Sequence, residues 1–228
     1  MSDLPPSPGE APVDCPLCPR LVAYREENQA AHPDWFNGAV PSFFPQKGGP
    51  AAQLLVIGLA PGVQGANRTG RPFTGDYAGD LLYPTLLKYG FAKGQYEARP
   101  DDGLTLQNCM ITNAIRCVPP QNKPTGAEAN NCRPFLVNRI AELPQLKVMI
   151  TLGKVSHDNT ARALGRKLSQ TPFGHGYELE VEGPHGPLTL LSSYHCSRYN
   201  TNTGRLTEEM FHDVFARARI ILDEASSN

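Results

Sequence analysis

Apolar runs of strand length recur along the chain, and each is followed at once by residues that break regular structure. Residues 54–57 run into Gly58 and a loop rich in Gly and Pro, and helical spacing resumes near Ala78. Residues 106–114, carrying Cys109, Met110, Ile111 and Ala114, meet Val118-Pro119-Pro120, where no helix can form. Residues 147–152 end at Gly153. A short β pair, 177–181 then 188–194, leads into His195-Cys196-Ser197. Between these runs the 3.6-residue period takes over. It predicts about three helical turns after Leu21, a helix over 79–89, and one over 155–164. Another starts in the capping-box sequence Thr125-Gly126-Ala127-Glu128 and runs through Phe135, Leu136, Ile140 and Leu143 to Pro144. The last, 207–222, puts Met210, Val214, Phe215, Ala218 and Ile221 on one face. Alternating strands and helices predict an α/β protein, a three-layer α/β/α sandwich around a central, mostly parallel four-stranded sheet. In such a sheet ligands bind beyond the carboxyl ends of the strands, so the loops after the apolar runs are the place to look for chemistry.

Composition narrows this picture. With 228 residues, 40% of them hydrophobic, the chain can build the core of one domain, expected over 15–228. Residues 1–14, rich in Pro, Ser and acidic groups, are expected to be a flexible tail. The acidic, Pro-rich start lacks the basic-then-apolar plan of a signal peptide, and no long apolar run is present. A cytoplasmic monomer with no membrane partner is therefore expected. The net charge of −1 announces no bulk basic field, so any nucleic-acid binding must come from a local patch. Prolines number 22, roughly double the usual ~5%, and they stiffen the connecting loops. Residues 31–50, with the only Trp and four Pro, form a long loop of the kind that is functional or tied down.

Six cysteines in such a chain read as thiolate ligands or core residues, not disulfides. Cys15 and Cys18 are spaced C-x2-C. Cys117 and Cys132 are separated by 14 residues, one just after a strand and one on a helix. Four such thiols can converge on one metal centre, while Cys109 inside a strand is a core residue. Zinc and an iron-sulfur cluster both accept four cysteines. The wide second pair, unlike two short zinc knuckles, favours the cluster.

These spacings, in this order, resemble the iron-sulfur uracil-DNA glycosylases. The likeness covers about Cys15 to Leu206, and the stretch TNAIRCVPPQNKPTGAEANNCRPFL is similar to a family segment almost throughout. Gly58-Leu59-Ala60-Pro61-Gly62, the run from Gly65 to Asp76 and His195-Cys196-Ser197-Arg198-Tyr199-Asn200 all resemble family five more than family four. The resemblance implies a [4Fe-4S] cluster on Cys15, Cys18, Cys117 and Cys132, a structural group expected to fix the 31–50 loop and Pro119-Pro120. It also implies DNA containing uracil or other deaminated bases, hypoxanthine among them, as substrate, and a role in base excision repair. Leu59 stands where much of the superfamily has a polar or acidic residue, and a Leu cannot activate water.

Excision of a base requires flipping it from the stack, then stabilising a sugar cation and a departing base anion. Phe73 is the candidate platform for the base, against the alternative of a residue that anchors its loop. Asn113, at a strand end, offers the donor and acceptor that read a Watson-Crick edge, or else merely forms a turn. His195 can donate to the oxygen of a leaving uracil anion. Asp76 and Asp80 are candidates for the water or the cation. Asp76 is preferred, because Asp80 falls where a helix begins. Backbone around Gly58, Ala60 and Gly62 is expected to face the base. Arg68, Arg71, Arg116, Lys123, Arg198 and Arg205 are candidates for the phosphate patch, with Tyr199 as a wedge and Asn200 beside it. Neither 58–76 nor 195–205 contains a Lys, which excludes a lyase step from those loops. Two other readings remain open, a lesion-binding protein without turnover and a metal-scaffolded nucleic-acid binding module.

Overall fold

The computed structural model describes residues 8–45 and 51–226. The expected tail over 1–7 and the 46–50 part of the long loop lie outside the described residues. In chain order the elements are α1 (Pro19–Ala31), β1 (Leu54–Gly58), α2 (Ala66–Thr69), α3 (Tyr77–Lys88), β2 (Ala92–Lys93), β3 (Thr105–Leu106), β4 (Cys109–Asn113), α4 (Gly126–Ala141), β5 (Val148–Leu152), α5 (Lys154–Ala163), β6 (Glu178–Gly183), β7 (Gly186–Ser193), α6 (Arg198–Asn202) and α7 (Glu208–Ser226). Among the described residues no helix is long and apolar enough to cross a membrane.

The main sheet has five strands in the order β4-β1-β5-β7-β6. The fifth is β6, the outer half of the β pair, antiparallel to β7, and the other four are parallel. Successive side chains of a strand point to opposite faces, and both faces of the parallel strands are apolar. Leu54, Val56, Ile111, Ile150 and Leu191 pack under α3 and α7 with Leu82, Leu86, Phe211 and Phe215. Leu55, Ile57, Met110, Met149 and Leu190 pack with Leu136, Ile140 and Leu21 on the other side. That is the expected sandwich.

The capping box forms as read, with Thr125 Oγ1 accepting from the Glu128 amide at 3.2 Å and Glu128 Oε2 from the Thr125 amide at 2.7 Å. The run at 106–114 divides instead of forming one strand. Asn108 has φ 51°, which ends β3, and its side chain pairs with the amide and side chain of Gln53 to set the register of β4 against β1. Residues 8–14 do not trail off either. Glu10 meets Arg116 and Arg139, and Gly9 and Ala11 are buried. The 31–45 part of the long loop is held by backbone bonds from Phe36 and Asn37 to Arg68 and Asn67, from Val40 to Arg116, and by a bridge of Phe43 to Ile111.

Candidate active site

The register places Gly58 beside Asn113, and Leu152 beside Ser193, so the parallel strands end at one edge of the sheet. The chain leaves β1 for β4 on one side and returns past it to β5 on the other. Loops at that edge splay apart, and a crevice results. There a pocket of about 530 Å³ opens, of a size that takes small organic ligands. Ala60, Gly62, Phe73, Asp76, Asn113 and His195 all line it, as does Leu59.

Each side chain has a local reason for its position. Asp76 is the N-cap of α3, where Oδ1 accepts from the Gly79 amide at 3.2 Å. The cap reading and the pocket reading are thus both true of the same carboxylate. Its other oxygen, Oδ2, occupies space that only glycine leaves: a Cβ on Gly65 would fall 2.3 Å from it, and one on Gly62 3.3 Å. Burial raises the Asp76 pKa, opposed by the amides of Gly79 and Ala78. Asp80, one turn on, is exposed and does not line the pocket. Gly58 is buried behind the pocket, not in its wall; a Cβ there would meet Asn113 Oδ1 at 2.3 Å and the Phe73 ring at 2.5 Å. Its missing side chain lets the amide and the ring approach each other.

Asn113 is buried, and its Nδ2 has no hydrogen-bond partner among the described residues. A buried donor left unpaired costs about 1–3 kcal/mol, so this amide is poised for a group that enters the pocket. His195 faces Phe73 with ring centroids 6.2 Å apart and planes 28° from parallel. Desolvation lowers its pKa to about 4, so the imidazole is neutral at pH 7 and retains one N–H to donate.

The basic candidates separate into two groups. Arg68, Lys123, Arg198 and Arg205 are exposed, and Arg198 lies on the pocket rim with its guanidinium 5.2 Å from the Tyr77 ring. Tyr199 is 71% exposed beside it. Arg71 is not a phosphate ligand: it is buried, paired with Asp102 at 2.7 Å. Arg116 is buried as well, held by Glu10, Ser42 and the Gly9 carbonyl. Asn200 turns inward, donating Nδ2–H to the His195 carbonyl at 2.8 Å, and so holds the His195 backbone instead of facing DNA. Asn122, Tyr77 and Ser197 also line the pocket and were missed. For Asn122 a signal existed, since it follows Pro119-Pro120 at the carboxyl edge.

Cys15, Cys18, Cys117 and Cys132 line a second, small hollow beside α1 and α4, and none of them is in a disulfide. The Arg116 amide donates to Cys132 Sγ at 3.3 Å and Asn131 Nδ2 to Cys18 Sγ at 3.7 Å. Among the described residues no three His, Cys, Asp or Glu side chains close on a single-ion site. Burial raises the thiols of Cys117 and Cys132 to about 12 and about 11, so as thiols they are neutral.

The crevice at the switch point of the parallel sheet thus joins an aromatic wall to an amide donor that has no partner among the described residues. Comparison with known families gives the class: the family model described as the uracil DNA glycosylase superfamily matches residues 45–219, and the chain belongs to that superfamily. Within it the type-5 relatives compared are more similar to this chain than the type-4 relative. The type-5 uracil-DNA glycosylase of Thermus thermophilus is 43% identical over 211 residues, covering 90% of this chain and 92% of the relative. That of Pyrobaculum aerophilum is 35% identical, covering 90% and 88%. A type-4 uracil-DNA glycosylase of Sulfurisphaera tokodaii is 28% identical, covering 75% and 72%.

Proposed function

We propose that the chain is a monofunctional DNA glycosylase of base excision repair that flips uracil, and also hypoxanthine, out of DNA and hydrolyses its N-glycosidic bond, working as a cytoplasmic monomer. The observation that carries this reading is the unpartnered Asn113 amide at the pocket wall. Deamination turns the edge of cytosine or adenine from amine donor and ring acceptor into carbonyl acceptor and ring N–H donor. Uracil and hypoxanthine share that reversed pair. A single amide, donating through Nδ2 and accepting through Oδ1, reads both and meets the parent cytosine or adenine donor to donor and acceptor to acceptor. The wide pocket supports admission of a purine. Among the described residues its lining includes no Lys, which supports hydrolysis without a lyase step.

The remaining roles follow from charge. As the bond breaks, the sugar becomes oxocarbenium-like and the base an anion. Asp76, with Oδ2 toward Gly62 and Gly65, supplies the negative charge for the cation or orients the attacking water. Neutral His195 donates a hydrogen bond to the base oxygen that gains charge. Leu59 in the wall leaves Asp76 as the carboxylate available there. Arg198 at the rim and the exposed Tyr199 next to it in the chain meet the phosphate backbone and the vacated stack.

The four cysteines around one hollow, receiving N–H···S bonds from Arg116 and Asn131, support a [4Fe-4S] cluster as their partner. Bound there, it would act as a structural cross-link between the segment of Cys15 and Cys18 and that of Cys117 and Cys132. Stoichiometric iron and acid-labile sulfide in the purified protein is the expected result, and bound zinc would overturn it.

Base release from matched oligonucleotides carrying uracil or hypoxanthine tests the activity, with Asp76→Ala, Asn113→Ala and His195→Ala in parallel. Wild type is expected to release both bases and Asp76→Ala to lose roughly 10²–10⁴ in rate while still binding DNA. Binding of uracil-containing DNA with no release would replace this reading with lesion capture without turnover.

A further inference from the structure

Arg71 is an arginine almost wholly buried away from the pocket wall, yet it sits two residues from Phe73. Its guanidinium is held on every side. Nη1 and Nη2 donate to the two oxygens of Asp102 at 2.8 and 2.7 Å, and Nε donates to Thr74 Oγ1 at 2.7 Å. Its carbon lies 5.1, 5.2 and 5.9 Å from the ring centres of Phe43, Tyr83 and Tyr96. Asp102 is in turn fixed by the amides of Glu97 and Leu104 at 3.1 and 3.0 Å. Tyr83 and Tyr96 stack on each other at 4.5 Å.

Both phenols aim at the backbone around Phe73. Tyr83 donates to the Pro72 carbonyl at 2.5 Å and Tyr96 to the Phe73 carbonyl at 3.3 Å. Between those carbonyls Phe73 adopts φ 54°, a left-handed conformation that a bulky residue rarely takes. Such a conformation persists only where its surroundings over-determine it. Its result is that the ring enters the pocket against Gly58 and His195.

We infer that Arg71, clamped by Asp102, is a positioning residue for base excision: through Tyr83 and Tyr96 it locks Phe73 in the backbone conformation that presents its ring to the flipped base. This deepens the proposed function and rests on Phe73 being the stacking platform there. A guanidinium suits the task where an ammonium does not, because its plane fits between aromatic rings while its edge satisfies both carboxylate oxygens.

The test is a double-mutant cycle on single-turnover uracil release, with Arg71→Lys and Tyr96→Phe each made alone and on Phe73→Ala. Affinity for an oligonucleotide carrying a tetrahydrofuran abasic analogue, which has no base to stack, is measured alongside. Phe73→Ala alone is expected to lose roughly 10- to 100-fold, the range of one base–aromatic stack. Arg71→Lys is expected to lose about tenfold and Tyr96→Phe severalfold, with abasic-DNA affinity unchanged and under twofold further loss when either is added to Phe73→Ala. Full rates for both variants, or the same loss with and without Phe73, overturn the inference. Should Arg71→Lys fail to fold, Tyr96→Phe decides alone, because it removes one hydroxyl and leaves the ion pair in place. Absence of uracil release by wild type would remove the proposed function and this inference together, whereas normal release with additive losses removes only the inference.

Discussion

His195 sits where a histidine is most often expected to titrate, but burial has moved it out of that range. Its folded pKa of about 4 lies below the ordinary 6.5, so the unfolded chain takes up a proton that the folded one refuses. Stability from this group is fully present above pH 6.5 and is lost as the pH falls toward 4, up to about 3 kcal/mol in all. Denaturant unfolding at pH 7 and pH 5 should show a wild-type loss that His195→Gln largely removes; equal losses would refute the shift. The same burial predicts no imidazole limb near pH 6.5 in the rate profile. The acid limb instead belongs to Asp76, whose raised pKa sets it above the ordinary carboxylate value and which Asp76→Asn abolishes. The convergence of Asp76, Phe73, Asn113 and His195 on one pocket was legible in the sequence because each ends or follows a strand that must end at the same edge. Arg71 and Arg116 were not. An arginine in a loop looks the same whether it faces phosphate or a buried carboxylate, and Asp102 and Glu10 lie 31 and 106 residues away from them.

Among the elements, α6 is short but consequential. Ser197 caps it by accepting from the Asn200 amide, and Asn200 on its first turn donates back to the His195 carbonyl. The helix thus fixes the histidine loop from within while presenting Arg198 and Tyr199 outward. Asn200→Ala is expected to lower the single-turnover rate severalfold with DNA affinity retained. Arg198→Ala is expected to do the reverse, weakening binding across sequences and flattening its salt dependence by about one phosphate contact. A pattern in which Asn200→Ala weakens binding and spares the rate would return Asn200 to the DNA surface. Helix starts and apolar strands were readable because capping chemistry and burial on both faces are local or periodic. The split between β3 and β4 was not, since it depends on Asn108 taking a left-handed turn to reach Gln53.

At the scale of the molecule, the segment from residue 8 to 14 closes the cysteine side of the fold. Glu10 bridges two arginines that are each almost wholly buried, Arg116 after β4 and Arg139 on α4. Arg116 stands next to Cys117, and its amide donates to Cys132 Sγ. Composition alone suggested a tail here, because a Pro-rich acidic stretch gives no sign of partners more than 100 residues away. Without Glu10, Arg139 keeps its ion pair with Glu142 at 2.7 Å, but the buried Arg116 loses the carboxylate it is bonded to, at about 3–5 kcal/mol. For a chain of this length each kcal/mol shifts Tm by roughly 2–4 °C. Glu10→Ala should therefore lower Tm by roughly 6–20 °C, read by circular dichroism or calorimetry. Excision by the folded protein at low temperature should be unchanged, because neither Glu10 nor either arginine lines the pocket. A shift under 2 °C would mean that water replaces the carboxylate and that the amino-terminal segment covers the cysteine side without holding it.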